Sequence, residues 1–274
     1  MTLDSAAAAA APVHLPLAED AKGGKLSSVA SALQMLKAFS AQEPEIGITA
    51  LARKLGLAKS TVHRLASTLV AEGFLEQNEQ DGRYRLGLML FSLGTQVRRR
   101  MNVPNQARPF LDELREKTDE TVHLAVRDQS DIIYLWNLES SQAIRMRSYL
   151  GTRKPAFCTS EGRAILAFSA PQVVARVLRG GLQARTPRTN VDASSLVKVL
   201  EDVRRNGYAL DDEESEEGMR GIAAPIRDAA GQVVAAVGLA GPVQRWTRKA
   251  QKQFVPLVVD TADRISQRLG HAAD

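Results

Sequence analysis

The stretch Gly47-Ile48-Thr49-Ala50-Leu51-Ala52-Arg53-Lys54-Leu55-Gly56-Leu57-Ala58-Lys59-Ser60-Thr61-Val62-His63-Arg64-Leu65 decides how this chain is read. Leu51, Ala52 and Leu55 form the apolar face of a short helix, Thr49 is placed to cap it, and Gly56 suits a left-handed stop. After a brief turn, a second helix is expected from about Lys59 to Glu72, ended by Gly73. Helical spacing turns Val62, Leu65, Ala66 and Leu69 inward. That leaves Lys59, Ser60, Thr61, His63, Arg64 and Ser67 on the outer face or at the N-terminal end. These are hydrogen-bonding and cationic types suited to base edges and phosphates. Between Arg53 and Arg64 lie four cations (Arg53, Lys54, Lys59, Arg64) and no acid. The helix N-terminus adds N–H donors and a partial positive charge.

Upstream, Val29, Leu33, Leu36 and Phe39 recur at helical spacing, with Ser27 or Ser28 as cap, before Pro44 and Gly47 interrupt the chain. Downstream, Phe74–Gln77 and Arg83–Leu86 read as a hairpin whose loop ends in Asp81-Gly82. Alternation puts Tyr84 and Leu86 on one face of it. Arg83 and Arg85 fall on the other, within reach of a DNA backbone or minor groove. Helix, turn, helix and hairpin together describe a winged helix-turn-helix, whose reading helix fits a major groove about 12 Å wide. A small helical bundle with a solvated basic face fits the same spacing, and His63 alone would read as a surface or packing histidine. From Leu86, the positions Leu90, Leu93, Val97 and Met101 form a seam on a longer helix that carries Arg98-Arg99-Arg100 near its end. Pro104 marks the expected boundary.

The remainder alternates differently. A helix carrying Phe110, Leu111 and Leu114 leads to extended runs at Val122–Arg127, Ile132–Asn137, Ile144–Tyr149, Gly221–Ile226 and Val233–Leu239. Helices are expected at Glu161–Phe168, Gln172–Leu178, Ser194–Asn206 and near Thr247–Leu269. Hairpin strands with interspersed helices imply an α+β domain with an antiparallel sheet. Residues 1–24, with the run Ala6–Ala11, two prolines and Gly23-Gly24, read as a disordered tail. The expected division is therefore a tail over 1–24, a DNA-binding domain over 25–86, a linker and dimerisation helix over 87–103, and a second domain over 104–274.

Composition excludes several classes. With 274 residues and 44% hydrophobic content, the chain can bury a core in one or two domains. A net charge of +5 does not by itself mark a nucleic-acid binder, so the local cationic cluster carries that weight. One cysteine, Cys158, rules out intramolecular disulfides and multi-cysteine metal sites. Histidines 14, 63, 123 and 271 show no ligand spacing, so neither metal nor cofactor is expected. No stretch approaches the roughly 18–20 apolar residues a membrane span needs. Asp4 and the weak apolarity of alanine argue against an export signal, and a soluble cytoplasmic protein is expected.

The quoted stretch resembles the helix-turn-helix of IclR-type bacterial transcriptional regulators. Glu72-Gly73-Phe74-Leu75 and Tyr84-Arg85-Leu86-Gly87 are similar to that family's wing and linker entry. Pro155 through Ala164, Asn206 through Glu214, Ile222-Ala223-Ala224-Pro225 and Ala240-Gly241-Pro242 resemble its effector-domain motifs. The resemblance implies a winged N-terminal domain, a dimerising linker helix and a C-terminal domain like GAF and PAS sensor modules. It also implies a small organic effector that alters DNA binding or polymerase recruitment. Carried over position by position, the effector site comprises Ala143, Met146, Ser160, Glu161, Asp211, Gly221, Gly238 and Ala240.

Gly221, Gly238 and Ala240 lack side-chain donors, where members that take very small oxoacids can carry cysteine or serine. The expectation is an effector bulkier than glyoxylate or pyruvate, an aromatic or longer-chain carboxylate, in the volume those small residues leave. Glu161 departs from the small residue the resemblance implies. It could reject anions, accept from a ligand hydroxyl or amine, or point to solvent. The plainer readings are that Gly221 and Gly238 serve strand packing, that Met146 and Cys158 fill core, and that Asp211–Glu217, six acids in seven residues, is a solvated loop.

The leading reading is a ligand-responsive, sequence-specific regulator of a metabolic or catabolic operon, a repressor in preference to an activator. It would bind a roughly palindromic duplex operator as a homodimer or dimer of dimers, with no membrane partner. The alternatives are an activator of an aromatic-degradation pathway, a nonspecific architectural DNA protein, and an enzyme with a basic accessory domain using Cys158 and His123 as a nucleophile pair.

Overall fold

The computed structural model describes residues 27–40, 42–146 and 148–272; the tail expected over 1–24 lies outside them. The chain divides into two compact units, one through Arg99 and one from Arg100.

The first unit carries α1 (Ser27–Lys37), α2 (Ile48–Leu55), α3 (Lys59–Ala71), a hairpin of β1 (Leu75–Gln77) and β2 (Tyr84–Leu86), and α4 (Leu88–Arg100). Met35, Leu51, Val62, Ala66, Leu75 and Tyr84 form its core, with Leu65 and Leu69 packed against it. The stripe expected on α3 is the stripe that is buried. Gly47, not Thr49, is the N-cap of α2: Gly47 is extended at φ −77°, ψ 157°, whereas Thr49 already sits in the first turn. Gly56 ends α2 at φ 64°, its N–H returning to the Ala52 and Arg53 carbonyls. The wing is reinforced by a pairing that spacing did not reveal. Ile46 and Tyr84 exchange two N–H···O bonds of 2.9 Å, tying the segment before α2 to β2. Leu86, expected to share the inner face with Tyr84, is 45% exposed.

The second unit is a six-stranded antiparallel sheet between helical layers. In chain order it holds α5 (Asn102–Thr118), β3 (Thr121–Asp128), β4 (Asp131–Leu138), β5 (Arg153–Pro155), α6 (Ser160–Leu166), α7 (Pro171–Arg179), α8 (Ala193–Asn206), β6 (Ala209–Asp212), β7 (Met219–Arg227), β8 (Val233–Pro242) and α9 (Arg248–Arg268). Strands run β5-β4-β3-β8-β7-β6. Period-two alternation separates the faces. Ile222, Ala224 and Ile226 of β7 and Val237 and Leu239 of β8 join Leu111, Leu114, Val258 and Ile265 beneath α5 and α9. Ala223 and Ala236 face the opposite way, toward Ala164, Leu166, Leu196 and Leu200 of α6 and α8. The α6 side is thus lined by small residues, and α6 packs directly on β7 and β8.

Three expectations are corrected. The helix break falls at Met101 (φ −87°, ψ 107°) and Pro104 lies within the first turn of α5, where its missing N–H has no helical acceptor to lose. The described residues between 144 and 149 form no strand. Residues 141–144 bend and leave Ile144 68% exposed, and β5 takes the edge beside β4 instead. The acidic run opens on a strand, with Asp211 of β6 paired to Gly221 of β7 and buried. Among the described residues, no helix is long and apolar enough to cross a membrane.

Candidate functional site

On α3, Lys59, Ser60, Thr61, His63, Arg64 and Ser67 are all exposed, while Val62 and Ala66 between them are buried. Ala58 caps α3 with backbone alone and contributes no side-chain acceptor, so the first-turn N–H groups keep their capacity for an anion. Among the described residues Lys59 and Arg64 form no ion pair. Their neighbours differ. Lys54 is drawn back to Glu43, and Arg85 is held by Glu76 at 2.9 Å and faces Glu45 at 3.6 Å. Arg83 lies 3.5 Å from Asp81 at the hairpin tip. The cationic cluster is therefore concentrated on α3 itself more than on the wing.

In the second unit, Met146, Ser160, Glu161, Asp211, Gly221 and Ala240 border one cavity together with Tyr134, Ser215, Met219 and Arg220. Its open volume is about 10 Å³, room for a single water. Gly238 stands behind Glu161, and Ala143 sits outside, exposed at the bend. Thr159 caps α6 by accepting from the Gly162 N–H at 3.3 Å, which aims Ser160 and Glu161 at the small-residue face of the sheet. A Cβ on Gly221 would lie 2.8 Å from Ser160 Oγ, and one on Gly238 would lie 2.7 Å from Glu161 Oε1. The volume expected from these glycines is thus already filled by Ser160 and Glu161. These glycines leave no extra room for a bulky effector.

Glu161 is not solvent-facing. Its Oε1 lies 3.2 Å from His123 Nδ1, and Ser160 Oγ donates to its Oε2 at 3.2 Å. His123 Nε2 meets Ser148 Oγ at 2.6 Å, and the Ser148 hydroxyl donates in turn to Asn137 Oδ1 at 2.9 Å. The ring lies 4.4 Å, centroid to centroid, from Tyr134. Burial alone would raise the Glu161 carboxyl, but the hydrogen bond and charge of His123 outweigh it and hold the group below its ordinary range.

Beside it, the acidic run turns inward at Asp211 and Glu214, while Asp212, Glu216 and Glu217 stay exposed. Asp211 Oδ1 accepts from the Glu214 and Ser215 N–H groups at 2.9 and 3.2 Å, and its Oδ2 accepts from the Ser215 hydroxyl. Burial nevertheless pushes Asp211 up to about 6. Arg163 donates to Phe157 O at 2.8 Å, to Leu210 O at 3.1 Å, and to both Glu214 carboxylate oxygens at 2.6 Å. Cys158 offers no nucleophile: burial pushes its thiol up to about 12, and both ring nitrogens of His123 are committed elsewhere.

A family model described as bacterial transcriptional regulator IclR C-terminal matches residues 95–267, and one described as IclR helix-turn-helix domain matches residues 28–79. The chain belongs to the IclR family. It is a DNA-binding, ligand-responsive transcriptional regulator rather than an enzyme. The HTH-type transcriptional regulator KdgR of Escherichia coli K12 is 34% identical over 253 residues, covering 92% of this chain and 96% of that protein. The transcriptional repressor IclR of the same strain is 32% identical over 250 residues, 90% and 91% of the two chains. Among solved structures, an IclR homologue from Microbacterium hydrocarbonoxydans complexed with 4-hydroxybenzoate superposes with a TM-score of 0.76 at 27% identity, covering 88% of this chain and 98% of that one.

Within this IclR-type frame, the positions carried over from the resemblance draw together, apart from Ala143. Ser148, Asn137, Tyr134 and Arg163 went unread, and His123 was read only as a possible partner of Cys158. Their partners stand 11 to 51 residues away, beyond any periodic signal. A weak sign was available: His123 stands in an otherwise apolar strand run, Val122–Val126, where a polar residue needs a buried partner.

Proposed function

We propose that this IclR-type protein is a repressor of a metabolic or catabolic operon that reads a roughly palindromic operator and is controlled by a small organic effector. The observation carrying the DNA-reading part is the outer face of α3, where two cations without acidic partners among the described residues stand beside exposed hydroxyls and His63. In this reading Lys59, Ser60, Thr61, His63, Arg64 and Ser67 contact the duplex, helped by Arg83. Arg85 reaches a phosphate only by leaving Glu76. The functional division is 25–86 for DNA, 87–103 for the linker and 104–274 for the effector. The name of the related repressor supports the sign of regulation.

The linker seam would join two copies. Leu93 and Val97 are 41% and 47% exposed, and Leu88 and Phe91 on the same helix each reach 76%, a density of exposed apolar surface that argues for a partner. Charged substitution at Leu93 and Val97 should dissociate the dimer in sedimentation; an unchanged sedimentation coefficient would remove the seam from the account. The effector would occupy the cavity bordered by Met146, Ser160, Glu161, Asp211, Gly221 and Ala240, with Gly238 as the seat of Glu161. A second reading, an activator of an aromatic-degradation pathway responding to an aromatic acid, is favoured by the 4-hydroxybenzoate bound to the homologue. A reporter fused to an operator selected from random duplexes separates the two. Deleting the regulator raises expression for a repressor and lowers it for an activator.

A further inference from the structure

Four side chains turn the effector cavity toward one kind of ligand. Glu161 is buried, its carboxylate seated where only a glycine at 238 leaves room, and its Oε1 is fixed by His123 Nδ1 at 3.2 Å. The ring that fixes it is itself locked, by Ser148 on the far nitrogen at 2.6 Å and by the face of Tyr134. Asp211 contributes a second buried carboxyl, and Ser160 and Ser215 already give their protons to these two acids. The cavity wall is therefore rich in acceptors whose remaining lone pairs are unspent.

His123 faces Glu161 alone, and the other cations nearby are not free to balance the second carboxyl. Arg220 is committed to Asp212 and to the Trp246 carbonyl at 2.9 Å. Lys154 is committed to Glu216 at 3.0 Å. The Tyr134 phenol registers the result: burial first, then the charges of Glu161, Asp211 and Glu216, push it well above its ordinary value. A carboxylate entering here meets like charge in a desolvated space. A hydroxyl meets an acceptor.

Resting on the reading of this cavity as the effector site, we infer that Glu161 is its specificity-determining residue and selects a neutral, hydroxyl-rich small molecule over a carboxylate. The thioethers of Met146 and Met219 border the same space and are the side chains most able to yield volume to such a ligand. The aromatic or longer-chain acid expected from sequence becomes one outcome of the test.

Isothermal titration and thermal shift on the full chain would compare polyols of three to six carbons (glycerol, erythritol, ribitol, mannitol) with pyruvate and 4-hydroxybenzoate, for the wild type and Glu161→Gln. The wild type should bind a polyol and bind neither acid detectably. Glu161→Gln, which keeps the shape and removes the charge, should gain acid affinity by about tenfold or more, the scale of one removed like-charge contact at short range. Acids binding the wild type more tightly than every polyol, with no gain in Glu161→Gln, would overturn the inference while leaving the effector site intact. No binding of either class to either protein would instead overturn the effector reading beneath it. Should the variant fail to fold, the wild-type ranking of polyols against acids decides alone.

Discussion

The polar residues of α3 and those of α6 are used in opposite ways. On α3 they stand exposed, with Lys59 and Arg64 unpaired among the described residues. On α6, Ser160, Glu161 and Arg163 are all buried, and each is hydrogen-bonded within the chain. A surface of the first kind gains its partner from outside, at little cost to the fold when altered. One of the second kind is already held by bonds within the chain, and a substitution that breaks a pair strands a charge in low dielectric.

The contrast breaks most visibly at Arg163. Arg163→Met removes both bonds to Glu214 and the two to backbone carbonyls, and should destabilise the second unit by about 3–5 kcal/mol in urea unfolding. Arg64→Ala in the same assay should stay within about 0.5 kcal/mol of wild type. Equal losses would erase the distinction between the helices.

Asp211 comes next. Its carboxyl is raised by burial from 3.8 to about 6, so the folded chain holds this proton where the unfolded chain has lost it. Its contribution to stability is fully present below pH 3.8 and is lost as pH rises to about 6, a change of roughly 3 kcal/mol at about 1.4 kcal/mol per pH unit. Asp211→Asn keeps an acceptor for the Glu214 and Ser215 N–H groups and should flatten that slope in chemical denaturation at stepped pH. A slope identical to wild type would mean Asp211 ionises freely.

On the exposed side the effects are smaller and appear only with DNA. Arg64→Ala should cost about 1–3 kcal/mol on the operator and relax discrimination at one base position in a gel-shift titration. Lys59→Ala should weaken all sequences alike and reduce the salt slope by about one. A Lys59 variant with altered sequence preference would move that residue from the phosphates to the bases.

The same contrast explains what was legible beforehand. The α3 stripe, the Gly56 stop and the wing were written in local periodicity, because each depends on residues within one or two turns. So were β7 and β8. The role of Glu161 was not, since it is fixed by His123 from another strand and by the room at Gly238 on a third. Asp211–Glu217 misled for a related reason. Its composition is that of a solvated loop, yet Arg163 lies 51 positions from Glu214 and draws the run inward. Ile144–Tyr149 failed because Met146 and Ser148 turn inward on bonds from the Thr121 and Asn137 side chains, with no strand pairing among the described residues. Thr49 failed as a cap because Gly47 could take the extended conformation two residues earlier.

The central claim is that the outer face of α3 reads duplex sequence. It is tested most directly by fluorescence anisotropy of the wild type and a His63→Ala/Arg64→Ala double variant on an operator selected from random duplexes, alongside a scrambled duplex at matched salt. The account predicts that the double variant keeps its unfolding midpoint but binds both duplexes alike. Discrimination equal to wild type in a fully folded variant would contradict it.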